Sequence, residues 1–322
     1  MHSLRHFYYQ NKEKIWKVVL IIAFLLAIIY FLNWMAIKDA SKNQNQNQTQ
    51  TNQDIYSDSE NKTYISNSSA ISGGSISKED VALVNNTISK FLQYCKNGEI
   101  ENAYNMLSND CKQNEYNTLE KFKEKYISSK FSKTSIYEIE RWISDTYKIT
   151  ISEDMLATGK IESGEKKVEY ITIVNEDAQE KLNVNSYIGK QSIEKDIAQN
   201  EVKITAVSKR IYLDYEIYDL EIENLSNKTI KLDPLAKTGT MYLQNSKNIK
   251  YRAYAHEIFE NDLEIKAKHK SKLSIKYAVA YSESTEIEKI VFEDVILDFI
   301  EYKKSENKKE FQDRCSVEIN IK

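Results

Sequence analysis

Apolar and polar positions divide the chain into four kinds of segment. Val18 to Ile37 is apolar at every position except Asn33. About twenty residues at ~1.5 Å rise match the ~30 Å hydrocarbon core of a bilayer, so the run predicts a transmembrane helix over residues 18–37. Residues 38–77 then lose apolar character: Lys42 to Gln53 is an Asn/Gln/Thr tract, and Ser/Asn-rich sequence continues to Gly73-Gly74-Ser75. Such a tract buries too little apolar surface to offset its ordering entropy, and it reads as a flexible linker.

From Ser77 the pattern becomes helical. Ser77-Lys-Glu-Asp80 has the form of an N-cap followed by first-turn acids, and Val81, Val84, Ile88, Phe91, Leu92 and Cys95 recur at helical spacing up to Gly98. Ile100, Ala103, Tyr104 and Leu107 mark a second helix; Leu119, Phe122, Tyr126 and Ile127, after Thr118, mark a third. The period then drops to two. Ile136–Ile143, Tyr147–Ile151, Ala157–Glu162 and Lys167–Val174 alternate, with turns at Ser144-Asp145 and Ser163-Gly164. Three helices followed by about four antiparallel strands form an α+β pattern, helices covering one face of a sheet. Beyond residue 200 short alternating runs continue, among them Val202–Ser208, Ile211–Glu223, Thr240–Leu243, Lys272–Tyr277, Lys289–Phe292 and Ser316–Ile321. Turns such as Asn224-Leu-Ser-Asn227 and Asp233-Pro234 separate them, which suggests an antiparallel sandwich.

Charge orients the apolar segment. Arg5, Lys12, Lys14 and Lys17 precede it against Glu13, while Lys38 and Lys42 follow it beside Asp39. Positive charge stays inside, so residues 1–17 are expected as a cytoplasmic tail and the remainder outside the cell membrane, with the lipid bilayer as a partner through residues 18–37. Trp16, Tyr30 and Trp34 stand near the two ends of the span, where amphipathic rings favour the headgroups. A cleaved signal peptide is the competing reading; Trp34 and Lys38 occupy the −3 places of cuts after Ala36 and Ala40, where a small residue is needed.

The net charge of −3 gives no electrostatic reason to expect nucleic acid. Ile, Lys, Asn, Glu and Tyr dominate, against one Pro and seven Gly, a bias that resembles proteins of low-GC Gram-positive bacteria. Three cysteines are too few for a disulfide scaffold. Cys95 and Cys111 lie in one helical region, where they form either a bridge or two buried thiols.

The stretch Phe91-Leu-Gln-Tyr-Cys-Lys-Asn-Gly-Glu-Ile-Glu-Asn-Ala-Tyr-Asn-Met-Leu-Ser, with Leu119-Glu-Lys-Phe-Lys-Glu-Lys-Tyr126, resembles the NTF2-like superfamily. The resemblance implies a cone of three helices on a curved antiparallel sheet over residues 78–195; that fold hosts isomerases, dehydratases and binding modules alike. Tyr218-Asp-Leu-Glu-Ile-Glu-Asn-Leu-Ser-Asn-Lys-Thr-Ile resembles early strands of bacterial immunoglobulin-like domains, implying an immunoglobulin-like β-sandwich over residues 196–322. The succession of tail, span, linker and NTF2-like domain resembles components of conjugation and secretion machines and Gram-positive envelope proteins, which often self-associate through the NTF2-like sheet.

Motifs for chemistry are sparse. His256 and His269 are separated by thirteen positions and form no HExxH; no GxSxG elbow and no phosphate-binding Gly-rich loop occurs. Glu138/Glu140 and Glu221/Glu223 place carboxylate pairs on strand faces, usually the solvent side. An isomerase-like or ligand-binding cone would draw on Tyr104, Tyr126, Tyr147 and Tyr170, each also suited to core packing with its hydroxyl at a rim. The reading is therefore a non-catalytic, extracytoplasmic protein-interaction or assembly module, with no catalytic, cofactor or metal residues and with a protein partner or self-association; the alternative is a small-ligand or isomerase-like site in the cone.

Overall fold

The computed structural model describes residues 63–65, 78–154, 166–234, 240–254, 257–282 and 285–322. The tail, residues 18–37 and most of the segment 38–77 lie outside the described residues, as do Ala157–Glu162, the Ser163-Gly164 turn and His256.

A short strand, β1 (Thr63–Ile65), comes first. The helical region follows as brief pieces. Helix α1 (Lys78–Val84) runs through a π turn (Asn85–Ser89) into α2 (Lys90–Asn97), which stops at Gly98 with φ of 76°. A left-handed C-cap suits glycine, because a Cβ there would crowd the neighbouring carbonyl. Then come α3 (Ile100–Asn105), α4 (Asn109–Asn114), α5 (Leu119–Phe122) with a π turn (Lys123–Ile127), and α6 (Ser128–Lys130). Ser108 caps α4 by accepting from the Cys111 amide, and Thr118 caps α5 by accepting from that of Lys121.

These pieces lie on a sheet of order β1-β2-β3-β4-β5, built with β2 (Ser135–Ile143), β3 (Thr146–Glu153), β4 (Lys167–Glu176) and β5 (Gln179–Asn183). β1 joins β2 in parallel; the other pairings are antiparallel. A long hairpin, β6 (Tyr187–Gln199) and β7 (Val202–Tyr212), leads into β8 (Glu216–Asn224), and with β13 (Lys270–Tyr277) makes a sheet of order β13-β8-β7-β6. Opposite it lie β9 (Ile230–Lys231), β10 (Met241–Asn245), β11 (Lys250–Arg252), β12 (Glu264–Ile265), β14 (Ile287–Ile296) and β15 (Arg314–Asn320), with helix α7 (Phe299–Lys304) after β14. Val202, Ile204, Tyr218 and Leu220 of one sheet share a buried core with Leu243, Ile290, Phe292 and Val317 of the other.

Two expectations are corrected. The described residues are 47% strand and 24% helix, a mostly β chain with short helices in place of the α+β class and its three-helix NTF2-like cone. The physical reason is visible in the order of elements: helix is confined almost wholly to residues 78–130, where α1 runs through its π turn into α2 and α5 through its own into α6, whereas strands take most of the described residues after 134. Meanwhile the period-two pattern spreads into β6, whose mostly exposed, polar residues carry little alternation of their own. The anchored reading is corrected as well: among the described residues, which leave out 18–37, no helix is long and apolar enough to cross a membrane, and the single-pass placement is not supported.

Candidate functional site

The two faces of the first sheet differ in chemistry. On the helix side, the rows Ile139–Ile149–Glu169 and Arg141–Tyr147–Ile171 cross β2, β3 and β4. Phe91, Tyr116, Phe122 and Tyr126 pack on this face ring against ring, with Phe122 and Tyr126 stacked at 5.3 Å and Tyr116 edge-on to both.

One charge lies within this apolar side. Glu169 is 2% exposed. Lys130, at the end of α6, pairs with one carboxylate oxygen, and the Asn185 backbone N–H donates to the other at 2.5 Å. The Lys130 ammonium also lies 4.7 Å from the Tyr126 ring centre and donates to Asn185 Oδ1 at 3.3 Å. Desolvation raises the Glu169 pKa, and Lys130, the Asn185 amide and the Tyr126 hydroxyl pull against that rise without cancelling it. The carboxylate is a fastener between α6, β4 and the turn after β5. Its described surroundings are side chains packed on one another.

The outer face carries other rows. Glu140 stands opposite Lys148, and Lys148 opposite Tyr170; Glu138 stands opposite Thr150, and Thr150 opposite Val168. Register shifts between Arg141 and Ile143, which leaves Trp142 at a bulge where its ring meets Tyr170 at 5.4 Å. Lys148 binds Glu140 at 3.1 Å and lies 5.8 Å from the Trp142 ring centre. Val168 is 49% exposed, and Trp142, Tyr170 and Ile136 are half-buried. An aromatic pair, two aliphatic side chains and one ion pair thus share an open sheet surface.

The tyrosines singled out by sequence do not converge. Tyr126 and Tyr147 are buried on the helix side, Tyr104 sits at its rim donating to the Tyr116 carbonyl at 2.8 Å, and Tyr170 faces outward. Burial raises the pKa of Tyr126 well above the usual phenol range, and desolvation raises that of Tyr104. Glu138 is exposed and Glu140 pairs with Lys148; Glu221 pairs with Lys270 at 2.8 Å and Lys272 at 3.5 Å, while Glu223 is half-buried. His269 is exposed. Cys95 and Cys111 are free, buried thiols, and desolvation pushes Cys111 up to about 12. No group of three or more His, Cys, Asp or Glu side chains suited to a metal ion occurs among the described residues. Sequence reading missed Glu169 and Trp142. Glu169 is in phase with Ile171 and Ile173, and Trp142 with Ile136, Glu138 and Glu140, which were signals for an inward carboxylate and an outward ring; the pairing of Trp142 with Tyr170 had none.

No family model matches the chain, and no curated protein matches it. Among solved structures, the yjhA protein from Bacillus subtilis is similar over 41% of this chain and 99% of its own, at 11% identity and a TM-score of 0.29. A conserved hypothetical protein from Bacillus anthracis is similar over 39% of this chain and 95% of its own, at 11% identity and a TM-score of 0.24. Likeness at this level carries no inference about fold or activity.

Proposed function

We propose that the protein is a non-catalytic interaction or assembly module whose contact surface is the outer face of the first sheet. The observation that carries this reading is the Trp142–Tyr170 pair beside half-exposed Val168. A sheet face that meets only water tends toward polar side chains, whereas aromatic anchors ringed by polar groups are the composition of interface centres. Lys148 and Glu140 border the pair and supply polar contacts around it. The aromatic packing on the opposite face favours this surface over an interior ligand site. The conjugation or secretion setting rested on the anchored architecture and is not carried further.

A photo-crosslinking residue at Val168 tests the proposal in cells, with Lys272, 84% exposed at its side chain on a different sheet, as the control position. A discrete adduct from position 168 and none from 272 is expected, and Trp142→Ala should reduce it at least tenfold, the loss of one interface anchor worth about 2 kcal/mol. Equal adducts from both positions, or an adduct indifferent to Trp142→Ala, would refute the contact surface.

A further inference from the structure

Lys130, Glu169 and Asn185 come from α6, β4 and the turn after β5, and they meet at one point on the helix side of the first sheet. Each carboxylate oxygen of Glu169 touches one of the other two: one pairs with Lys130 Nζ, and the other accepts from the Asn185 backbone N–H. Lys130 Nζ also donates to Asn185 Oδ1 at 3.3 Å, so the amine lies against the side-chain carboxamide. The far end of that carboxamide is held too. Its Nδ2 donates to Glu115 Oε2 at 3.3 Å, and the Tyr212 hydroxyl donates to Glu115 Oε1 at 2.5 Å. An ion pair accounts for Lys130 and Glu169, but not for a carboxamide clamped between them and a second carboxylate.

A primary amine, a carboxamide and a carboxyl group in contact with both are the parts that amide exchange requires. With a C=O bond of about 1.23 Å, Asn185 Cγ lies within about 4.5 Å of Nζ. The flexible lysine stem can close that distance to the ~3–3.5 Å of a reacting pair. The attack needs an acceptor for the ammonium proton, and Glu169 is in contact to take it. Its side chain is 1% exposed, and desolvation raises its pKa, the direction that suits a proton acceptor. The Lys130 side chain is 20% exposed, with the Tyr126 ring centre 4.7 Å from Nζ. Asn185 is exposed, which gives a leaving group a way to solvent.

We propose that Lys130 and Asn185 join in an intramolecular amide crosslink, with Glu169 as the proton carrier. Glu169 takes one proton from the Lys130 ammonium. The Nζ lone pair attacks Cγ, the Cγ–Nδ2 bond breaks, and a second Nζ proton moves to Nδ2, which leaves as ammonia. One Nζ–Cγ bond replaces one Cγ–Nδ2 bond, nothing is oxidised or reduced, and Glu169 ends neutral. The link forms once per chain, without turnover or co-reactant, and fastens α6 to the turn after β5. It lies on the helix side of the sheet, so it stands independently of the contact face proposed above.

Intact-mass spectrometry and peptide mapping of the purified full chain test this. The chain is expected to weigh less than its sequence by one ammonia, and a digest to yield a branched peptide joining Lys130 to Asn185. Lys130→Arg, which keeps a cation beside Glu169, and Asn185→Gly, which suits the φ of 62° there, should each restore the full sequence mass. Glu169→Gln should lower the crosslinked fraction at least tenfold. A chain at its full sequence mass overturns the proposal. So does an ammonia loss that survives Lys130→Arg, because an asparagine closing onto its own backbone as a cyclic imide loses the same mass. A branched peptide whose yield ignores Glu169→Gln refutes the proton carrier; if that variant does not fold, the branched peptide in the unaltered chain decides.

Discussion

Glu169 shows how one residue sets a pH response. Its folded pKa lies above its unfolded value because desolvation outweighs Lys130 and the Asn185 amide. Burial of the neutral acid therefore stabilises the fold below the unfolded carboxylate range, and that contribution is lost as pH rises through the folded value. Glu169→Gln should flatten this part of the stability–pH curve, measured by urea unfolding at several pH values; an unchanged slope would place the titration elsewhere. Asn224 is a second case. Fully buried, it donates from Nδ2 to the Lys228, Ile265 and Lys266 carbonyls at 2.7, 3.0 and 3.0 Å, while its Oδ1 accepts from the Ser226 amide and hydroxyl. Asn224→Asp keeps the shape but turns donors toward carbonyls into acceptors. A loss of about 3 kcal/mol is expected, read from the shift in denaturant midpoint at constant slope. The Asn224-Leu-Ser-Asn227 turn was legible in sequence, but the carbonyls of residues 265 and 266 meet it only through tertiary folding.

Among elements, caps and strand phase could be read from sequence and helix length could not. Gly98 ends α2 in a left-handed conformation, and a Cβ there meets nothing within 4 Å beyond the adjoining backbone, so the cost of Gly98→Ala is conformational: about 1 kcal/mol in thermal or urea unfolding. Ser108 serves twice. Its oxygen accepts from the Cys111 amide at 2.9 Å, capping α4, and its hydroxyl donates to Asn183 Oδ1 at 2.5 Å, tying that cap to β5. Ser108→Ala should cost about 2 kcal/mol, more than an exposed cap, since it also strands a buried amide oxygen. The cap of α4 lay hidden because Asn109 to Asn114 has one buried apolar residue, Cys111, too little for a helical period. β6 was hidden for a related reason: past Ile188 most of its side chains are exposed, and its place comes from the ladder with β7. β2, β3, β4 and β8 alternate in their own sequences, and they form where that alternation runs.

At the scale of the molecule, residues 58–322 form one compact unit, and the β6–β7 hairpin belongs to two cores at once. Tyr187 and Tyr212 pack in the core of the helix-covered sheet, while Val202, Ile204 and Ala206 pack between the later sheets. Polar bonds reinforce the near end: Tyr187 donates to Asp110 and Tyr212 to Glu115, each at 2.5 Å, and their rings meet at 5.2 Å. Residues 195 and 196 lie within β6, so a continuous strand crosses from one core to the other. Phe122→Ala, in the first core, should cost about 3–5 kcal/mol. Because the hairpin couples the cores, hydrogen exchange should quicken at β14 amides as well as at β4 amides; quickening confined to β4 would show that the cores unfold independently.

Local signals in the sequence determined the turns, the cap at Thr118, the glycine stop at Gly98 and the phase of the alternating strands, because propensity, capping and period two act within a few residues. Tertiary structure decided the rest. It inserted π turns into the helical region, paired Trp142 with Tyr170 across the sheet, placed Thr63–Ile65 on the β2 edge, and ran one hairpin through two cores. Each of these depends on partners distant along the chain, and desolvation or backbone pairing by a distant partner leaves no mark in a local pattern.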